Sequence, residues 1–415
     1  LNAGQALRDV LCAGNAAAVI TVDTRRRATL IGGAAALGAG LLPRIAAAAD
    51  PVKVGLILPM SGPFASTGRE IDTAVRLYQQ KYGDSAGGRK VEILLKDDGG
   101  LMPDATKRIA QELVVNEKVQ VLAGFGLTPL AFAAAPIATQ AKVPMVVMAA
   151  ATSIIPQRSP YIVRTGFTLA QVTAPLADWA AKDNTLKIRS VMTLVSDYGP
   201  GIDAERVFTK HFTAGGGKIL DSLRVPLQNP DFAPFMQRIK DSKPDAVFAF
   251  VPSGAGAAVM KQFAERGLSA AGVRLICTGD VLDDELMPSI GQVAVGVHSS
   301  HHYSAAHPSP ENKEYVRDFM KLSKGMRPNF HSVGGYDGIH LVYEALKKTG
   351  GDADGDKLLA AMKGMKWTSV RGPVSIDPDT RDIVQNVYIR KAEMVDGGVY
   401  NVEFETIPNF KDPGV

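Results

Sequence analysis

Hydroxyls, glycines and small amide-exposing residues gather at six places in this chain: Ser61–Thr67, Phe125–Thr128, Ala149–Ser153, Asp197–Gly201, Pro252–Gly256 and Thr278–Asp283. Each stretch follows a short apolar run. Backbone N–H groups and hydroxyls at such positions satisfy an anion where helices begin. The same set holds one tyrosine, Tyr198, and a small acidic group headed by Asp280. A carboxylate facing the anion seat suits a cation. A ligand with a carboxylate at one end and an ammonium at the other is an α-amino acid.

Catalytic constellations are a poor match. The six stretches hold no paired acid and base and no activated nucleophile. The chain has no Gly-x-Ser-x-Gly elbow and no His-Glu-x-x-His. Gly124-x-Gly126 lacks the third glycine of a dinucleotide loop, and Ser253-Gly-Ala-Gly256 lacks the Lys-Ser/Thr of a phosphate loop. His298, His301, His302 and His307 lie close in sequence. On a strand, however, His298 and His302 stand about 13 Å apart on one face, too far to share an ion. No cofactor and no metal are expected.

The elements that must position these residues read as two βαβ series. Apolar runs at 52–58, 91–95, 119–124 and 144–148 alternate with helical patterns at 70–82, 104–116 and 130–141. The alternation resumes with strands at 190–196, 219–225, 246–251 and 274–277 between helices at 202–213, 232–242 and 255–266. Near-continuous apolar strands between amphipathic helices mean parallel sheets covered on both faces. The pattern predicts an α/β protein with two doubly wound parallel-sheet lobes, in which ligands sit at the carboxyl ends of strands. Helical patterns at 311–324, 331–348 and 356–362 follow. The end is β-like, with a turn at Asp396-Gly397-Gly398.

The 415 residues are 46% hydrophobic with a net charge of +4, so a large core is within reach and no nucleic-acid footprint is present. The start does not read as fold. Thr24-Arg-Arg-Arg27 precedes an apolar, small-residue run and Ile45-Ala-Ala-Ala-Ala49, the order of an export signal of twin-arginine type, with cleavage after Ala49. The run is too short to span a membrane. Residues 1–22 fit neither signal nor domain. Losing 1–49 removes Cys12 and leaves Cys277 alone, so no intrachain disulfide is expected.

The stretches "VGLILPMSGPFASTG" (54–68), "KDD" (96–98), "VPMVVMAAATS" (143–153), "SDYGPG" (196–201) and "GGYDGIHL" (334–341) together resemble a known family. It is the leucine/isoleucine/valine-type periplasmic substrate-binding proteins of ABC importers, and the resemblance covers 52–408. It implies the type I periplasmic binding fold, two lobes joined by three crossovers that close like a flytrap. The first lobe would be 52–168 plus 304–385, and the second 169–303 plus 386–408. The implied crossovers lie near Gly166–Leu169 and Tyr303–Ala305.

By resemblance, the loop after the first strand with Ser61, the loop at Leu127 and Thr128, and Ala150 to Thr152 hold the ligand carboxylate. Ala150 would act through its backbone, and Thr152 through its hydroxyl and N–H. Tyr198 would close on the ligand from the second lobe, and Asp280 would take the ammonium. Thr67 stands where amino-acid binders of this family often carry a tyrosine, and an aromatic near Pro252-Ser253 is missing. Phe64 and Phe125 are then expected as replacement apolar surface.

The resulting expectation is an exported, non-catalytic, monomeric solute-binding protein. It captures an amino acid with an apolar side chain and delivers it to the membrane permease subunits. The alternative keeps the fold and binds an aromatic or aliphatic carboxylate or an amide, or serves as a periplasmic sensor. A bare carboxylate is repelled by a facing Asp280, so a turned-away Asp280 would favour that alternative.

Overall fold

Val52–Leu58 (β1) seeds the first sheet, and its alternation decides how helices attach. Val52, Val54, Leu56 and Leu58 point into one apolar cluster and Ile57 into another, as period-two side chains must. In this computed structural model, which describes residues 50–414, β1 lies between Arg89–Asp97 (β3) and Val121–Gly124 (β4). Ser85–Ala86 (β2), Met145–Val147 (β5) and Ile162–Arg164 (β6) complete six strands in the order β2-β3-β1-β4-β5-β6, parallel except for β2. Ala65–Tyr82 (α1) covers one face. Pro103–Val115 (α2) and Thr128–Ala141 (α3) cover the other. Gly55 faces α2, where a Cβ would come within 2.8 Å of Leu113.

The second sheet has nine strands. Ser190–Ser196 (β7), Lys218–Val225 (β8), Ala246–Phe250 (β9), Arg274–Thr278 (β10) and His298–His301 (β11) run parallel. Lys366–Ser369 (β12), Gly372–Ile376 (β13), Ile383–Val395 (β14) and Gly398–Phe410 (β15) join by antiparallel pairing. The order is β12-β13-β14-β11-β10-β9-β7-β8, with β15 beside β14. Leu169–Lys182 (α4) and Gly199–Ala214 (α5) bury residues on one face. Ala233–Ser242 (α6) and Ser253–Glu265 (α7) do so on the other, followed by the short Met287–Ile290 (α8). Pro310–Leu322 (α9), Phe330–Lys348 (α10) and Gly355–Met362 (α11) return to the first lobe, α9 and α10 lying along α1.

The two parallel-sheet lobes agree with the reading from sequence, and three details differ. No element was expected at α4. Residues 169–177 are buried all round, so no polar face marks the helical period, and Pro175 reads as a breaker. Thr168 caps this helix by accepting from the Gln171 N–H at 2.9 Å. The helix expected from Glu70 begins at Ala65, which shortens the loop after β1. The expected lobe boundary at 385/386 falls inside β14, whose first residues pair with β13 and whose middle pairs with β11. β13 therefore hydrogen-bonds into the second sheet, although Val374 and Ile376 pack in the cluster that holds α10.

That cluster is continuous. It runs from β1 through Phe167, Leu169 and Tyr303 of the connecting segments to Phe248 and Phe250. Helix α10 approaches the end of β5 so closely that a Cβ on Gly334 would lie 2.2 Å from the Met148 carbonyl. Gly334→Ala must push α10 off β5, and we expect it to lower stability by about 1–3 kcal/mol, the usual cost of overpacking. Urea unfolding checks this, and an unchanged midpoint would mean that the contact gives freely.

Candidate functional site

The strand ends of the two lobes meet over a small cavity of about 30 Å³. Space of that size holds one or two water molecules. Phe64, Thr67, Leu127, Thr128, Ala150, Tyr198 and Asp280 line it, as do Phe167, Phe250, Ser253 and His331.

One end is built from two helix N-termini. After β4 the chain turns sharply at Gly124 (φ +106°), where a Cβ would lie 2.2 Å from the Ile57 carbonyl, and α3 starts at Thr128. From the second lobe, α5 starts behind Tyr198. Neither helix has a side-chain cap or an acid in its first turn, so both present a positive dipole end. Between them lie two hydroxyls, with Thr128 Oγ1 donating to Thr152 Oγ1 at 3.1 Å. Gly199 makes the approach possible, since a Cβ there would stand 2.7 Å from Thr152 Oγ1.

Buried Arg164 fixes the loop carrying Thr152. Its Nη1 donates to the Ala150 carbonyl at 3.2 Å and the Thr152 carbonyl at 2.9 Å, and its Nε to Asp382 Oδ1 at 2.5 Å. The loop carbonyls thus turn toward Arg164.

The other end follows β10. Asp280 is buried, and its Oδ2 accepts from Thr278 Oγ1 at 2.9 Å. His301 Nε2 stands 3.4 Å from the same oxygen, a contact without hydrogen-bond alignment. Gly279 lets this turn sit against Arg390, whose Nη2 would be 2.1 Å from a Cβ. Burial pushes the imidazole of His301 down to about 4 and that of His331 to about 3, so both are neutral at neutral pH. Burial, and then the charge of Asp280, push the Tyr198 phenol well up, which keeps it a neutral donor. Its ring lies parallel to Phe250 with centroids 6.2 Å apart.

Several sequence expectations need correction. Ser61 is exposed and outside the cavity, beside Asp97. Phe125 has φ +68°, is fully buried in the core between the first sheet and α2 and α3, and is not a wall. Ala150 lines the cavity, but its N–H donates to the Phe125 carbonyl at 3.0 Å and its carbonyl accepts from Arg164. Thr152 supports the wall from behind Thr128. Reading only strand ends missed His331, which opens α10, and discounted His301, which backs Asp280. Among the described residues, no three His, Cys, Asp or Glu side chains come together as metal ligands would.

Compared with known proteins, residues 51–398 match a family profile described as periplasmic binding protein. This chain belongs to the periplasmic binding protein family. Within that family, the Leu/Ile/Val-binding protein homolog 6 of Brucella abortus is 45% identical over 383 residues, 92% of this chain and 97% of that one. A solute-binding protein of an ABC transporter from Rhodopseudomonas palustris BisB5, solved with 3,4-dihydroxybenzoic acid, is 63% identical. It superimposes with a TM-score of 0.85 over 88% of this chain and 99% of its own. A second, from R. palustris HaA2 with p-hydroxybenzoic acid, is 46% identical with the same TM-score and the same coverage. Both named ligands are aromatic carboxylates, not amino acids. The proposed signal at 24–49 lies outside the described residues.

Beside the cavity of this binding protein the lobes also meet through acids. Glu70 of α1 is buried and accepts from the Asn329 N–H at 3.3 Å, while Asn329 Nδ2 donates to both oxygens of Asp283 at 3.0 Å. Ser66 donates to Glu285 across the same gap. Burial, then the charge of Glu285, push Asp283 up to about 7, and burial with Asp283 pushes Glu70 well up. Acids raised on folding contribute a penalty that is absent below the unfolded value near 4 and grows as pH rises toward the folded value. We therefore expect the stability gained by Glu70→Gln over the parent to grow as pH rises from about 5 to about 8, as urea unfolding across that range would measure. A pH-independent difference would show that Glu70 is charged in the folded state.

Proposed function

We propose that this protein is the extracytoplasmic receptor of an ABC importer and that it captures an aromatic carboxylate. The carrying observation is the separation of the polar ends. The anion seat at Thr128 and Thr152 adjoins the start of α5, which follows β7, whereas Asp280 follows β10. β9 lies between these strands, so their ends are about 10 Å apart, two strand spacings. An α-amino acid carries its carboxylate and ammonium on one carbon. A hydroxylated benzoate carries its polar groups at opposite ends of a ring. The apolar stretch between the ends, with Phe64, Leu127, Phe167, Tyr198 and Phe250, suits such a ring. The 63% identical relative with 3,4-dihydroxybenzoic acid supports the same class.

The amino-acid reading retains one observation in its favour. Asp280 lines the cavity instead of turning away, as an ammonium partner would. A phenolic hydroxyl also donates to that carboxylate, so its orientation is compatible with both.

Capture works by population shift. A ligand held by groups of both lobes binds the closed form better than the open one, and closure follows by that difference in affinity. A dry cavity that accepts benzene measures about 150 Å³, so the bound form is wider than the cavity seen here. The segments at 165–168 and 302–309 provide the hinges. Permease subunits then receive the closed form, after export directed by the arginine cluster at Arg25–Arg27.

Thermal shift separates the readings, since a true ligand raises the melting temperature in proportion to the logarithm of its concentration above Kd. We expect 3,4-dihydroxybenzoate and 4-hydroxybenzoate to do so, and leucine, isoleucine and valine to have no effect. Leucine shifting the melt while both benzoates fail would return the protein to amino acids. Thr128→Val removes the cavity-lining hydroxyl at nearly constant shape, and we expect it to weaken benzoate binding about tenfold with little change in the melting temperature of the free protein.

A further inference from the structure

We propose that Asp280 and His331 read the hydroxyl groups of the ring, so that the preferred ligand is a benzoate with two adjacent hydroxyls opposite its carboxylate. This rests on the aromatic reading above and goes beyond it by assigning the groups that discriminate among benzoates.

Both side chains line the cavity, Asp280 at 4% and His331 at 7% exposure. Thr278 and His301 both approach Oδ2 of Asp280, and no described side chain donates to Oδ1. His331 is held by its own backbone, whose N–H donates to Asn329 Oδ1 at 2.9 Å, and its Nδ1 has no partner among the described residues. A buried polar atom left without a partner is costly, so an unpaired one lining a cavity marks where a guest supplies the missing group. Both side chains line the same small cavity. They come from different lobes, Asp280 from β10 and His331 from α10, and so meet only when the cleft is closed.

Two acceptors on one small cavity call for two donors on one guest. Vicinal hydroxyls on one ring supply them, with one O–H to Asp280 Oδ1 and the next to His331 Nδ1. A single para hydroxyl satisfies one acceptor, and plain benzoate satisfies neither. An imidazole kept neutral by burial retains the lone pair that this role needs.

Calorimetric titration of the full chain with 3,4-dihydroxybenzoate, 4-hydroxybenzoate and benzoate tests the assignment. We expect Kd to rise about 10-fold or more at each lost hydroxyl. In His331→Phe the preference for 3,4-dihydroxybenzoate over 4-hydroxybenzoate should fall to about twofold or less. In Asp280→Asn the gain from the para hydroxyl should shrink. The parent ranking needs no variant, so a misfolded substitution leaves the test intact. Equal affinity of the parent for all three acids overturns the reader and leaves the aromatic class standing. Retention of the full preference by folded His331→Phe overturns the role of that residue. Failure of every benzoate to bind removes the aromatic reading and this inference together.

Discussion

A guanidinium without solvent determines the shape of the cleft. Arg164 sits at the end of β6 and takes the carbonyls of residues 150 and 152 and the carboxylate of Asp382. Taking such a pair out of water costs several kcal/mol, and its mutual attraction repays this only with further hydrogen bonds to the remaining donors. The loop carbonyls are those bonds. With them turned toward Arg164, the loop presents the apolar side chains of residues 149–151 to the cavity, and the carbonyls of residues 150 and 152 face away from it. Asp382 belongs to the segment entering β14, so the same pair ties the loop to the strand that runs between the lobes.

The rest of the site follows from what faces this loop. Two uncapped helix ends converge on Thr128 and Thr152, one from each lobe. Gly199 and Gly124 remove the side chains that would hold them apart. Away from this seat the closing surfaces bring acids together at Glu70, Asp283 and Glu285. Closure thus joins the proposed anion seat to an acidic contact that must be neutralised or protonated. A ligand supplies differential stabilisation at the first while the second opposes it, so an unliganded cleft has a reason to reopen.

Much of this was legible in the sequence because parallel strands buried on both faces are unbroken apolar runs. β1 and β7 were read to the residue, and the strand-end rule named Thr128, Tyr198 and Asp280, which line the cavity. The rule failed where local backbone decides direction. Phe125 follows a strand as a pocket residue would, yet the left-handed turn at Gly124-Phe125 sends its ring into the core. Ser61 lies in the right loop, but α1 starts at Ala65 and leaves it outside. His331 was out of reach of a rule about strands, for it opens a helix that returns from the far end of the chain. The pairing of β13 with β14 is long-range register, which alternation within one strand does not encode.

Enclosure by two lobes has a kinetic corollary. A solute gripped from both sides cannot leave while the lobes stay closed around it. Escape must wait for the lobes to separate, so the rate of opening is a ceiling on the rate of release, whatever the strength of individual contacts. Two solutes of different affinity would then share the same fastest possible departure and differ in how often an opening event lets them go.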